Sequence, residues 1–317
     1  NVHNSIGTGK STASLFMMLR KIYELSCYEN IAALFDLMST SMIVFIYFSV
    51  NKTQAELTGF GQFKSLIDSV PYFQDNFQRN QDINSLIQLP ENLLFTHGSD
   101  TQHAIGMNLL GSILDEANFH KGEDTSPNQS VSKKDYSKVA NLYSSIVHRG
   151  KSRFADKDED HSLSILVSSA THSSSFTQKR IEKSVDDPHT KIIDAKLWDV
   201  KPEKYADETF WVFVGSGNMD PFIVKDTNDV NEVLESEGAG DYTVDSKYNS
   251  IDYVISNSPE RVKELFIEVP LNFKKDFKVD IVSALQDIAG VSIAPLGRLF
   301  SAKPVYNRAV ERGEDGG

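Results

Sequence analysis

Three short segments carry residues whose types and order could do chemistry on a phosphate. The first is Asn4-Ser5-Ile6-Gly7-Thr8-Gly9-Lys10-Ser11-Thr12. It fits the phosphate-loop pattern G-x-x-x-x-G-K-[ST], with Asn4 standing where the first glycine is usual. Gly7 and Gly9 let a backbone wrap closely around phosphates with its N–H groups turned inward. A helix opening at Lys10 points its positive end at the same anion. In that frame Ser5 to Thr12 cradle the nucleotide, Lys10 reaches the β- and γ-phosphates, and the Ser11 hydroxyl binds Mg²⁺. The plain alternative is a glycine-rich turn ahead of a helix.

The second segment is Ser112-Ile113-Leu114-Asp115-Glu116-Ala117-Asn118. An apolar strand ending in two acids places Asp115 at the carboxyl edge of a parallel sheet, where ligands bind in such folds. Asp115 is then a candidate Mg²⁺ ligand, directly or through water, and Glu116 a candidate general base for an attacking water. Acids that merely cap the next helix are the competing reading. The third segment is Ile165-Leu166-Val167-Ser168-Ser169-Ala170-Thr171. Its small hydroxyl residues at a strand end have the size to sit beside a γ-phosphate and register its loss, although strand-to-turn Ser/Thr runs are common.

The elements that must position these residues follow from apolar periodicity. Lys10 to Leu25 reads as a helix, with Ala13, Leu15, Phe16, Leu19 and Ile22 on repeating turns. Met42 to Ser49, Asn92 to Thr96, Leu109 to Leu114 and Leu163 to Ser168 read as strands. Gln54 to Ser69, Tyr136 to His148 and Ser175 to Lys183 read as helices. Strands alternating with helices predict parallel pairing and an α/β three-layer sandwich. The run His120 to Lys134 has no apolar period and reads as a loop. After about Ile192 the rhythm changes: Lys191 to Leu197 and Thr209 to Val214 read as strands, and Phe273 to Ala289 as one amphipathic helix. We therefore expect a core over residues 1–197 and a smaller α+β subdomain over 198–317.

Composition sets outer bounds. The chain has 317 residues, 40% hydrophobic and 24% charged, which is ordinary for a globular protein. The single Cys27 excludes an internal disulfide and a zinc site built on thiols. A formal charge of −12 argues against a surface that grips DNA everywhere, though not against a local basic strip. The acidic run Asp156-Lys157-Asp158-Glu159-Asp160 reads as a solvated loop. Ser41 to Val50 is too short to span a bilayer, no secretory signal is visible, and no membrane role is expected.

Taken in order, the three segments resemble one branch of P-loop ATPases. These carry an extra strand between the nucleotide and acid motifs and a glutamate after the acid-strand aspartate. Within it the resemblance is to the large terminase subunits of tailed phages. It rests on Gly7-Thr8-Gly9-Lys10-Ser11-Thr12, Ile113-Leu114-Asp115-Glu116-Ala117-Asn118-Phe119 and Ser168-Ser169-Ala170-Thr171, the last similar to that family's coupling motif. Glu268-Val269-Pro270 and Leu285 to Val291 look like the segment after the terminase ATPase core. The resemblance implies ATP and Mg²⁺ as cofactors and hydrolysis that drives double-stranded DNA into a procapsid. It also implies portal protein, small terminase subunit and a homo-oligomeric ring as partners, and a place in the host cytoplasm, transiently at the procapsid.

An arginine finger is expected, worth about 10³–10⁵ in rate. Arg153 is the leading candidate beside Arg149 and Arg180, with Arg20 a poorer choice. Terminases usually continue into a nuclease domain, and a chain stopping at Glu314-Asp315-Gly316-Gly317 is expected to have no nuclease activity. With only Asn1-Val2-His3 ahead of the loop, the chain reads as a fragment with a truncated first strand. A gap in the sheet is then expected between the strands bearing Asp115 and Ser168. A helicase-like ATPase and a non-hydrolysing nucleotide-binding scaffold are the competing functions.

Overall fold

In the computed structural model the described residues are 2–5, 7–119, 133–156, 159–171, 175–245 and 249–293, with backbone alone at 2–4 and 133–137. The loop read over His120 to Lys134 lies outside them except for its last two residues. So do Ile6, Lys157 and Asp158. The chain divides into two compact units. One holds residues 1–3, 9–168 and 175–193, the other residues 4–8, 169–174 and 194–317.

The first unit is built on a parallel sheet. Strand β1 is Val2–Asn4 and helix α1 Lys10–Ser26. Strand β2 is Ile43–Phe48, and a helical run follows through Lys52–Ala55, a π turn at Glu56–Phe60, and α2, Gly61–Ser69. Then come β3 at Ile87–Gln88, β4 at Leu93–Gly98 and β5 at Asn108–Leu114. Helix α3 is Lys133–Phe154, β6 Leu163–Ser168, α4 Phe176–Ser184 and β7 Ile193–Ala195. The strand order is β3-β4-β2-β5-β6-β1-β7. The pairs β1–β6, β2–β4, β2–β5 and β5–β6 are parallel, and the short β3 is antiparallel to β4.

Why β2 is a strand of six consecutive buried residues is clear from its two faces. Ile43, Phe45 and Tyr47 pack with Leu15, Met18, Leu19 and Ile22 of α1 on one side. Val44, Ile46 and Phe48 pack with Val139, Leu142 and Ile146 of α3 on the other. A strand covered on both faces loses alternation and becomes uniformly apolar. Helix α1 meets it with a stripe at i, i+3, i+4, i+7 and i+10: Leu15, Met18, Leu19, Ile22 and Leu25 are all buried.

One expectation about this sheet is corrected. Val2 and His3 pair in parallel with Val167 and Ser168, so three residues suffice to seat β1 and the sheet has no gap there. The neighbour of β1 is β6 alone on that side, and the strand leading to Asp115 lies one place further out. Strand β6 is thus the additional strand between the loop strand and the acid strand.

The second unit carries an antiparallel sheet, β10-β8-β9, with β8 at Thr209–Phe213, β9 at Phe222–Ile223 and β10 at Phe266–Pro270. One face is covered by α5, Thr227–Ser236, and α6, Ile251–Asn257, through Val230, Val233, Leu234, Val254 and Ile255. The other is covered by α7, Lys274–Val279, and α8, Ile281–Asp287, through Phe277, Ala284 and Leu285. The single helix expected over Phe273 to Ala289 is therefore two. Asp280 adopts an extended conformation and its carboxylate accepts from Val282 N and Ser283 N, both at 3.1 Å. An aspartate that caps a new helix is better placed there than in a helix interior. No helix among the described residues is long and apolar enough to cross a membrane.

Candidate nucleotide site

The loop ahead of α1 is shaped by its glycines. Gly7 has φ 79° and Gly9 φ 81°, values in which a side chain would be strained. Gly9 is the N-cap of α1, and the first turn of that helix has no acidic residue and no side-chain cap. The N-terminus of a helix favours an anion. Lys10 follows at once and is buried. In the second unit, Thr8 Oγ1 donates to Ser5 O at 3.0 Å and closes the loop, with Ser5 fully buried. Lys201 Nζ donates to Gly7 O at 3.0 Å.

The first unit brings the acids to the start of α1. Asp115 N–H donates to Phe48 O at 2.9 Å, which carries the β2–β5 ladder one residue past the strand. Its side chain is buried, and Oδ2 accepts from Ser11 Oγ at 3.0 Å. The same Oδ2 accepts from the Tyr47 hydroxyl, at the end of β2. Oδ1 accepts from Glu116 N at 3.0 Å. Every oxygen of this carboxylate is therefore held.

Glu116 itself sits at φ 51°, in the left-handed region, which costs a non-glycine residue roughly 1–2 kcal/mol. Burial, and next the Asp115 carboxylate, raise its pKa above the usual carboxylate range, while Lys10 pulls the other way. A half-buried acid in a strained turn beside a lysine is the setting in which a carboxylate becomes a useful base.

Asn118 links this turn to the third motif. Its N–H donates to Ser168 Oγ at 3.1 Å. Its side-chain amide accepts from Thr177 N at 3.1 Å and donates to Thr177 Oγ1 at 2.6 Å, fixing the first turn of α4. Ser168 is fully buried, and in the second unit Ser169 and Ala170 are buried as well. There Thr171 O accepts from Gln286 Nε2 at 2.7 Å and from Ile293 N at 3.2 Å.

The arginines fall elsewhere. Helix α3 closes the crossover from β5 to β6 and so ends at the amino edge of the sheet. Gly150, between Arg149 and Arg153, is packed so that an added Cβ would lie 2.6 Å from Ser162 Oγ and 3.6 Å from Leu109 O. Leu109 is the second residue of β5 and Asp115 follows its end, about 20 Å apart at the rise of a strand. Arg153 is thus too far away to serve phosphates held at Ser11 of its own chain, and that expectation is corrected. Arg180 stacks over Tyr143 with 5.0 Å from Cζ to the ring centroid. Arg20 pairs with Glu24 on the exposed side of α1.

Among the described residues no cluster of three His, Cys, Asp or Glu could hold a metal ion. The donors that fit are Ser11 Oγ and Asp115, hard oxygens in contact with each other. Two protein ligands suit Mg²⁺, which keeps most of its water and takes the rest from phosphate. Tyr47, Lys201 and Gln286 are not legible as site residues in the sequence. A tyrosine in an apolar strand, and a lysine and a glutamine far along the chain, carry no motif.

A family model described as "Uncharacterized protein MJ0330, N-terminal P-loop domain" matches residues 4–213. No curated protein matches the chain. Among solved structures, the chain is similar to the large terminase of a thermophilic bacteriophage in complex with ADP. Identity there is 9% and the TM-score 0.41, over 63% of this chain and 40% of that one. It is also similar to the large terminase ATPase domain of Thermus phage P74-26, at 16% identity and TM-score 0.36, over 64% of this chain and 77% of that one. The chain thus spans less than half the length of the ADP-bound terminase.

Proposed function

The chain belongs to the family of the MJ0330 N-terminal P-loop domain, and from that premise we propose that it hydrolyses ATP to drive double-stranded DNA, in the manner of a large terminase ATPase. The observation that carries the hydrolytic part is the contact of Ser11 Oγ with Asp115 Oδ2 at 3.0 Å, with Glu116 next in the chain. The phosphates lie on the first turn of α1, Gly9 to Thr12, with Lys10 against the β- and γ-oxygens. Ser11 and Asp115 would hold Mg²⁺, which would neutralise developing charge on the phosphates. Glu116 orients the attacking water and accepts its proton. Asn118 ties that turn to Ser168, which supports a third motif that responds when the γ-phosphate leaves.

The DNA part rests on the resemblance of the three motifs to those of phage terminases, and with it come the portal, the small subunit and a ring of copies as partners. Helix α3 carries Arg153 to the far edge of the sheet, and Arg180 is engaged over Tyr143. A catalytic arginine supplied by a neighbouring copy in such a ring agrees with both placements. The test is ATP turnover by the purified chain, with and without double-stranded DNA. Turnover that is absent in the parent, or equal in Glu116→Gln, would sink the hydrolytic assignment. Turnover indifferent to DNA length and concentration would leave an ATPase but remove the motor.

A further inference from the structure

We infer that Tyr47 is a positioning residue for the metal carboxylate: its hydroxyl fixes the rotation of Asp115 so that the carboxylate presents itself, with Ser11, to Mg²⁺. This rests on the nucleotide site proposed above. Tyr47 is fully buried on β2, in register with Ile113 of β5, two residues before Asp115. Its O–H reaches over the strand end to Asp115 Oδ2, the oxygen that also accepts from Ser11. A buried carboxylate with two donors on one oxygen and the Glu116 N–H on the other has no free torsion left.

The phenol is held from behind. The π turn Glu56–Phe60 brings Gly59 flat against the ring, so that a Cβ at Gly59 would fall onto Tyr47 Cζ and both of its Cε carbons. Only glycine permits that approach, and a π turn is a rare way to pass a backbone so close to a ring. Tyr47 could pack as a phenylalanine with the same ring, as Phe45 does two residues earlier. The oxygen is the difference, and it goes to Asp115. Charge-assisted hydrogen bonds of this kind are about twice as strong as neutral ones.

The experiment is Mn²⁺ binding, read by electron paramagnetic resonance in the presence of ADP, on four proteins: the parent, Tyr47→Phe, Asp115→Asn and the double variant. Tyr47→Phe should weaken Mn²⁺ by about tenfold, with ADP affinity in chelator unchanged. Added to Asp115→Asn it should cost no more, because its effect runs through that carboxylate. Gly59→Ala, which displaces the ring and keeps the hydroxyl, should reproduce the metal defect. Parent-like Mn²⁺ affinity in Tyr47→Phe, or additive losses in the double variant, would overturn the role of Tyr47 and leave the nucleotide site standing. Parent-like affinity in Asp115→Asn would overturn the metal site itself, and the inference with it.

Discussion

Ser11 and Asp115 stand 104 positions apart in the chain, and their side chains meet at 3.0 Å. One lies in the first turn of the helix after the glycine loop, and the other directly follows the strand two places away from the loop strand in the sheet. A hydroxyl that donates to a carboxylate keeps its lone pairs for a cation, so the pair is preset for Mg²⁺ without loss to either partner. Ser11→Ala should therefore raise the Mg²⁺ concentration needed for nucleotide binding by about tenfold. Ser11→Thr, which keeps the oxygen, should restore it. Titration of Mg²⁺ against a fluorescent ADP analogue checks both, and equal behaviour of the alanine and threonine variants would remove Ser11 from the metal.

Lys10 and Glu116 should separate into different steps. Glu116→Gln keeps size and hydrogen bonding but cannot accept the water's proton, so ATP should bind normally while single-turnover hydrolysis falls by about 10²–10⁴. Lys10→Ala deletes a phosphate contact made before chemistry begins, and should weaken ATP binding itself. Nucleotide affinity measured beside single-turnover rates distinguishes the two. Normal hydrolysis in Glu116→Gln would reduce that residue to a structural role.

The same glutamate should leave a mark on stability. Its folded pKa is raised, first by burial and then by Asp115, with Lys10 opposing. The folded protein thus holds the proton more tightly than the unfolded chain, whose glutamates titrate at about 4.3. The stabilising contribution is full below that value and is lost as pH rises through the folded pKa. Above its folded pKa the ionised Glu116 is a burden, half-buried and close to Asp115. Glu116→Gln should raise the Tm of the nucleotide-free, Mg²⁺-free protein by about 1–3 °C at pH 7–8. The gain should shrink as the buffer is taken down toward pH 4. A gain that grows on acidification would reverse the sign of the shift.

The parts of this site that are legible in the sequence are those set by local chemistry. Gly7 and Gly9 announce positive φ, and the apolar run into Asp115-Glu116 announces a strand end. The αβ alternation follows from the same periodicities, because β2 and α1 are patterned by the layers that bury them. What is not legible depends on distance in the chain. Arg153 reads as a finger only if its helix is taken to end near the phosphates, and the crossover from β5 to β6 decides otherwise. The break at Asp280 looks like a polar residue on an amphipathic helix until the capping bonds to Val282 and Ser283 are seen. Tyr47 sits in an apolar run like any core residue, and its hydroxyl acquires meaning only from Asp115.

The second unit offers the last prediction. Thr171 ends the third motif, and its carbonyl accepts from Gln286 Nε2 at 2.7 Å and from Ile293 N at 3.2 Å. Gln286 lies on α8, whose first turn is locked by the Asp280 cap and whose apolar side, Ala284 and Leu285, is buried against β8 and β10. A shift in the backbone at Thr171 must therefore be taken up by α8 or break the glutamine's bond. Gln286→Leu keeps the bulk and removes the donor, leaving the carbonyl to Ile293 alone. Losing one such bond is worth about 0.5–1.5 kcal/mol, so amide exchange across 281–287 should quicken by about three- to tenfold. In the parent, exchange of this helix should differ between ADP and a non-hydrolysable ATP analogue. In the variant that difference should vanish while ATP affinity stays the same. Hydrogen exchange read by mass spectrometry makes the comparison. A parent whose α8 exchanges identically in both nucleotide states would show that the carbonyl grip holds the fold and transmits nothing.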